Sequence, residues 1–153
     1  MENGHFHSYT FGTLDLNRVR DCVLSFMKEE ANREYRLLIG TDSEAKNGEG
    51  VEFITALVVH RVGSGGIYFW RRKHEDKKYV LKTRIYEEAV LSLSCAGEIL
   101  EVFKEDGIGR LDLEIHVDIG QKGETRELIS EITGMVKGSG FMVATKPYSY
   151  AAS

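Results

Sequence analysis

No apolar run in this chain is long enough to cross a bilayer, and its start, Met1-Glu2-Asn3-Gly4-His5, lacks the pattern of a secretory signal. Neither a membrane-spanning nor a secreted protein is expected. Cysteine is scarce: Cys22 and Cys95 are the only two, both inside helical patterns, and they read as free thiols of a reducing cytoplasm rather than as a disulfide. Proline occurs once, as Pro147, where it turns the chain after Lys146. There is no excess of positive charge either. The formal net charge of −4 does not suggest a tight, non-specific nucleic-acid binder. The glycine-rich Gly63-Ser64-Gly65-Gly66 has no Lys-Ser/Thr after it and leads into a strand, so it is a hairpin turn and not a phosphate-binding loop. His5 and His7 have no Cys or His partner nearby and are assigned to an ordinary N-terminal tail without a period.

What is present suits one domain over residues 1–153, with 42% hydrophobic and 29% charged residues. The charge is unevenly placed. Between Arg71 and Arg84 stand seven Lys or Arg (Arg71, Arg72, Lys73, Lys77, Lys78, Lys82, Arg84) against two acids, Glu75 and Asp76. Such a local cationic stretch in an acidic chain points to a confined phosphate-binding face, with Arg71, Arg72, Lys77 and Lys78 as its candidates.

The hydrophobic periods give the elements. Leu16, Val19, Val23, Phe26 and Met27 predict an amphipathic helix over residues 14–32, with Thr13 as its N-cap. Strands are predicted over 36–42, 51–61 and 67–71, joined by short turns at 45–50 and 63–66. Residues 72–78 read as a basic connector. A long helix follows over 81–105 with the stripe Ile85, Ala89, Leu93, Ala96, Ile99, Leu100 and Phe103, ended by Asp106-Gly107-Ile108-Gly109. A fourth strand over 111–118 puts Leu111, Leu113, Ile115 and Val117 on one face and Asp112, Glu114, His116 and Asp118 on the other. After a loop at 120–123 come a helix over 125–137, a fifth strand over 141–145 and, from Tyr148 to Ser153, the first turn of a further helix that the sequence does not complete.

The first three strands form an antiparallel meander, and the last two are joined through helices and so run parallel. A right-handed crossover lays the fourth strand beside the first, for an α/β fold with a mixed five-stranded sheet of order 3-2-1-4-5. That order brings the ends of the first and fourth strands together, and with them Asp42 and Asp118. Each follows an apolar run, and each has glycine nearby: Leu37-Leu38-Ile39-Gly40-Thr41-Asp42-Ser43 and Ile115-His116-Val117-Asp118-Ile119-Gly120. A crevice of this kind is where open sheets bind ligands. The long helix can deliver Glu88, on the small-residue edge of its stripe, to the same point; Glu87 is the alternative, and the acids of an early helical turn also suit the dipole. Three carboxylates meeting there would raise one another's pKa or bind a cation. All-oxygen ligands favour Mg²⁺ or Mn²⁺, a pair of which suits phosphodiester hydrolysis.

This order of elements and acids resembles the ribonuclease H-like superfamily. Ile-Gly-Thr-Asp-Ser (39–43), Val-Gly-Ser-Gly-Gly (62–66), His-Val-Asp-Ile-Gly (116–120) and Lys-Pro-Tyr-Ser-Tyr-Ala-Ala-Ser (146–153) are similar to the YkuK-type family within it, over nearly the whole chain. The resemblance implies Asp42, Glu88 and Asp118 as metal ligands. It also implies a fourth acid on the last helix, in an Ala-Asp pair following Ala-Ala-Ser, and the sequence ends before it at Ser153. Two functions follow as expectations. One is a metal-dependent nuclease acting on RNA, an RNA–DNA hybrid or structured DNA. The other is a catalytically inactive module of the same fold that binds nucleic acid or a protein partner.

Overall fold

The computed structural model describes residues 5–48, 50–119 and 127–145. Two short strands, β1 (Phe6–Ser8) and β2 (Gly12–Leu14), precede α1 (Leu16–Glu29). The long strands β3 (Tyr35–Lys46), β4 (Gly50–Arg61) and β5 (Gly66–Glu75) lead to α2 (Leu81–Val102), and β6 (Leu113–His116), α3 (Ile129–Gly138) and β7 (Met142–Ala144) complete the order. The expected last helix over 148–153, the turn at Lys146-Pro147, the loop at 120–123 and the start of the helix at 125 lie outside the described residues.

The strands form one mixed sheet of order β2-β1-β5-β4-β3-β6-β7. The expected meander and its two parallel neighbours are there in the expected sequence, but the sheet has seven strands, not five. The tail around His5 to Tyr9 is a hairpin: β1 pairs with β2 and touches β5 at His7–Trp70. Its three-residue strands are too short to show a period in the sequence, so only the edge of β5 reveals them.

Local chemistry explains most boundaries. Asp15, not Thr13, caps α1, its carboxylate accepting from the Arg18 N–H at 2.9 Å, and Val19 and Val23 go to the core. In the turn from β4 to β5, Gly63 and Gly65 both sit at φ +80, and the Arg61 N–H donates to the Gly65 carbonyl. The helix α2 buries Ile85, Ala89, Ser92, Cys95, Ala96 and Ile99 along one stripe, and Glu88 lies on that stripe. It then tightens into a 3-10 turn at Lys104–Asp106 and ends on left-handed Gly107. Residues 111 and 112, expected to open the fourth strand, instead belong to another 3-10 turn (Arg110–Asp112), so Leu111 is 78% exposed instead of facing the core. The expected basic connector is largely strand, because β5 runs on to Glu75 opposite Val51.

The described helices share one core on one face of the sheet. Leu37, Ile39, Leu57, Val59, Phe69, Leu113 and Ile115 form the core with Val19, Val23, Ala89, Ala96, Ile99, Ile132 and Val136 from the three helices. Cys95 is sealed within it, its thiol pushed up to about 12 by burial, and Cys22 is half-buried; both are free thiols. No described helix is long and apolar enough to cross a membrane.

Candidate active site

β3 does not stop at Asp42, as the sequence suggested, but continues to Lys46 against β4. What ends near Asp42 is the pairing with β6. The last parallel pair is Gly40 with His116. Asp42 and Asp118 each lie two residues beyond it, so both return to the same face of the sheet where β6 leaves β3. The backbone of β6 is held one step longer from its other side, where the Val117 N–H donates to the Ala144 carbonyl at 2.9 Å. Asp42 is exposed and Asp118 half-buried, with its Oδ1 shielded from solvent.

Glu88 arrives from the helical face. Side chains alternate along β3, so Thr41 and Ser43 point toward α2 while Asp42 points away. Thr41 Oγ1 lies 2.7 Å from Ser92 Oγ and 3.0 Å from Thr55 Oγ1, and one helical turn earlier the Ser43 hydroxyl donates to Glu88 Oε2. Two residues of strand span about 6.8 Å and four of helix about 6 Å, which lets the two contacts match when α2 runs against β3. Ser43 also donates its N–H to Asp42 Oδ1 at 2.9 Å. One residue therefore contacts both acids, one from each face. Glu87, the alternative, turns outward to Lys73 at 3.7 Å.

The electrostatics tie the three acids together. Burial raises the Glu88 carboxyl to about 7; the Ser43 hydroxyl opposes this, Asp42 and Asp118 add to it, and Arg84 opposes it. Asp42 is raised too, first by desolvation, against its Ser43 hydrogen bond, and then by Asp118. Arg84 stands four residues before Glu88 on the same helical face, and its buried Nε has no hydrogen-bond partner among the described residues. Neither Ser43 nor Arg84 was expected from the sequence as a site residue. The helical spacing of Arg84 and the strand alternation of Ser43 were the available signals. His116, one strand pair below, is buried, and that burial lowers its imidazole pKa against the opposing pull of Glu114.

The phosphate-binding candidates separate. Arg71 is turned toward α2, where Nη1 and Nη2 donate to Glu98 at 3.0 and 2.5 Å, and its guanidinium lies 4.8 Å from the centre of the Phe6 ring. It lines a cavity of about 310 Å³ with Thr55, Lys73 and Glu98, to whose wall Arg72 also contributes. Arg72 points to the opposite face; its Nη1 is 3.5 Å from Glu52. Lys77 and Lys78 are exposed, with Lys77 Nζ 5.4 Å from the Tyr79 ring centre.

A model of the ribonuclease H-like family matches residues 18–153, which contain every element from β3 onward and all of α1 but its first two residues. The chain belongs to the ribonuclease H-like family. It is 32% identical over 158 residues to the uncharacterized protein YkuK of Bacillus subtilis (strain 168), covering 96% of this chain and 91% of that protein. No solved structure matches it. For a member of a ribonuclease H-like family, the donor chemistry around Asp42 suits a hard divalent cation: Asp42 and Glu88, both raised first by burial and further by the charge of Asp118, would gain from a positive charge beside them. Their present positions are looser. Among the described residues, no three His, Cys, Asp or Glu side chains are grouped closely enough to hold a metal ion.

Proposed function

We propose that this ribonuclease H-like chain is a Mg²⁺- or Mn²⁺-dependent nuclease that hydrolyses phosphodiester bonds in RNA, an RNA–DNA hybrid or structured DNA, in the cytoplasm. The observation that carries the reading is the strand register that puts Asp42 and Asp118 on one face beyond the Gly40–His116 pair, with Glu88 close enough to feel both charges. In this reading Asp42, Glu88 and Asp118 hold the ion. When bound, it supplies Lewis acidity for water and for the phosphate oxygens. Ser43 positions two of the three acids, and Arg84 offsets part of their charge. Arg72, Lys77 and Lys78 hold phosphates from the exposed side. Arg71 is left out of that set because Glu98 occupies its guanidinium.

The test is cleavage of labelled RNA, hybrid and DNA in Mn²⁺ or Mg²⁺ by the wild type and by Asp42→Asn. Cleavage by the wild type and its loss in the variant are expected; equal rates in both would end the reading. One observation favours a second reading, a non-catalytic nucleic-acid-binding module. Arg84 already places a cation among the acids, where a metal would otherwise be needed. Under that reading, binding weakens with salt and no product forms in either protein.

A further inference from the structure

The sheet face turned away from the helices carries a group of rings that neither the core nor the acids account for. Tyr68 and Trp70 alternate along β5, and Tyr9 reaches them from the turn between β1 and β2. Tyr9 is 84% exposed and Tyr68 44%. The Tyr9 and Trp70 ring centres are 4.9 Å apart, Tyr68 and Trp70 5.6 Å, Tyr9 and Tyr68 6.0 Å. The rings thus steady one another while Tyr9 and Tyr68 leave much of their surface to solvent and Trp70 stays half-buried between them, an arrangement that marks binding surfaces more often than packing.

Their position relative to the acids follows from register. Asp42 pairs with Ile54, and Ile54 with Arg72, so one row across three strands runs from carboxylate to guanidinium. Two strand spacings put the Cα atoms of Asp42 and Arg72 about 10 Å apart. Two residues further back along β5, about 7 Å, comes Trp70 opposite Ala56, and two more bring Tyr68 opposite Val58. All of these side chains share the sheet face opposite the described helices, a face that is covered further along the last row at Leu38, which is fully buried. The order is acid, exposed cation, then aromatic shelf, and it matches a polymer whose backbone is anionic and whose side groups are flat.

We propose that Tyr9, Tyr68 and Trp70 form a stacking platform for the bases of a single nucleic-acid strand, with Arg72 leading its backbone toward Asp42. Every base has a π-face, so such a shelf reads no sequence. It does select for strandedness, because bases inside a duplex have both faces covered. Two tyrosines and a tryptophan would equally anchor a protein partner. The guanidinium interposed between shelf and acids, joined to the cleavage site by one strand row, favours the nucleic acid. The direction of the strand rests on the nuclease reading; the stacking does not.

Trp70 is the only tryptophan, so its emission reports on the shelf directly. The full chain in EDTA is titrated with a short single-stranded oligodeoxyadenylate and with the same strand in a duplex. The single strand should quench Trp70 and the duplex should not. Tyr9→Ala and Tyr68→Ala, both at exposed positions, should each weaken binding roughly 5- to 150-fold. Unchanged affinity in these variants, or equal quenching by the duplex, overturns the proposal. Emission that responds only to protein concentration also overturns it and assigns the shelf to contact between copies of this chain. The two readings fail separately. Asp42→Asn that still binds the single strand, with no cleavage by the wild type in Mn²⁺, leaves the shelf standing without the nuclease. Cleavage that proceeds at unchanged KM in both tyrosine variants leaves the nuclease without the shelf.

Discussion

The two faces of β5 treat the same run of basic residues in opposite ways. On the helical face Arg71 is 13% exposed and forked onto Glu98, and Lys73 reaches Glu75 and Glu87. On the other face Arg72 is 63% exposed, with one loose contact to Glu52. A fork between two planar groups over the Phe6 ring holds β5 to α2, whereas a solvated guanidinium at 3.5 Å from its partner contributes little to stability and stays available to a ligand. The pleat of the strand thus divides a charge run into a structural half and a free half. The acids obey the same rule at β3, where Ser43 faces α2 and Asp42 the open side.

The sharpest way to break this division is at the open face. Asp42→Asn removes a charge without removing a core contact, so unfolding by urea should be nearly unchanged while Mn²⁺-dependent cleavage falls about a hundredfold or more. A parallel loss of stability would place Asp42 with the structural half.

Glu88 sharpens it from the covered side. Its carboxyl is raised to about 7 in the folded chain, above the ordinary value of 4.5, so the folded state binds the extra proton between those limits. Stability in EDTA should therefore be greatest below about pH 4.5 as far as this group is concerned, and should fall as pH rises through about 7. The full difference is roughly 3 kcal/mol. Glu88→Gln should remove that slope and be the more stable protein at pH 8, read from urea midpoints at pH 5 and pH 8.

Arg71→Met should cost roughly 1–3 kcal/mol in the same unfolding assay, less than the loss of a fully buried pair because Glu98 keeps about a third of its surface in water. Arg72→Met, one residue away, should stay within about 0.5 kcal/mol of the wild type and show its effect only as weaker, less salt-dependent nucleic-acid binding. Equal destabilisation by the two variants would erase the contrast between the faces.

The order of the five expected strands, the amphipathic helices and the positions of Asp42 and Asp118 just past the β3–β6 pairing and of Glu88 on the buried stripe of α2 were legible in the residues themselves. Each depends on a period of 2 or 3.6, on turn glycines, or on an acid placed just after an apolar run, and these act within a few residues of one another. The β1–β2 hairpin, the continuation of β3 past Asp42, the strand character of residues 72–75 and the turn at 110–112 were not. A strand only three residues long, or a polar strand end, is held by its neighbour across the sheet and leaves no local trace. The same reason explains Ser43, Arg84 and the pairing of Arg71 with Glu98. Hydrogen bonds and charges between residues tens of positions apart exist only after the chain has closed, and tertiary packing alone decided which cations were committed to the fold and which remained outside it.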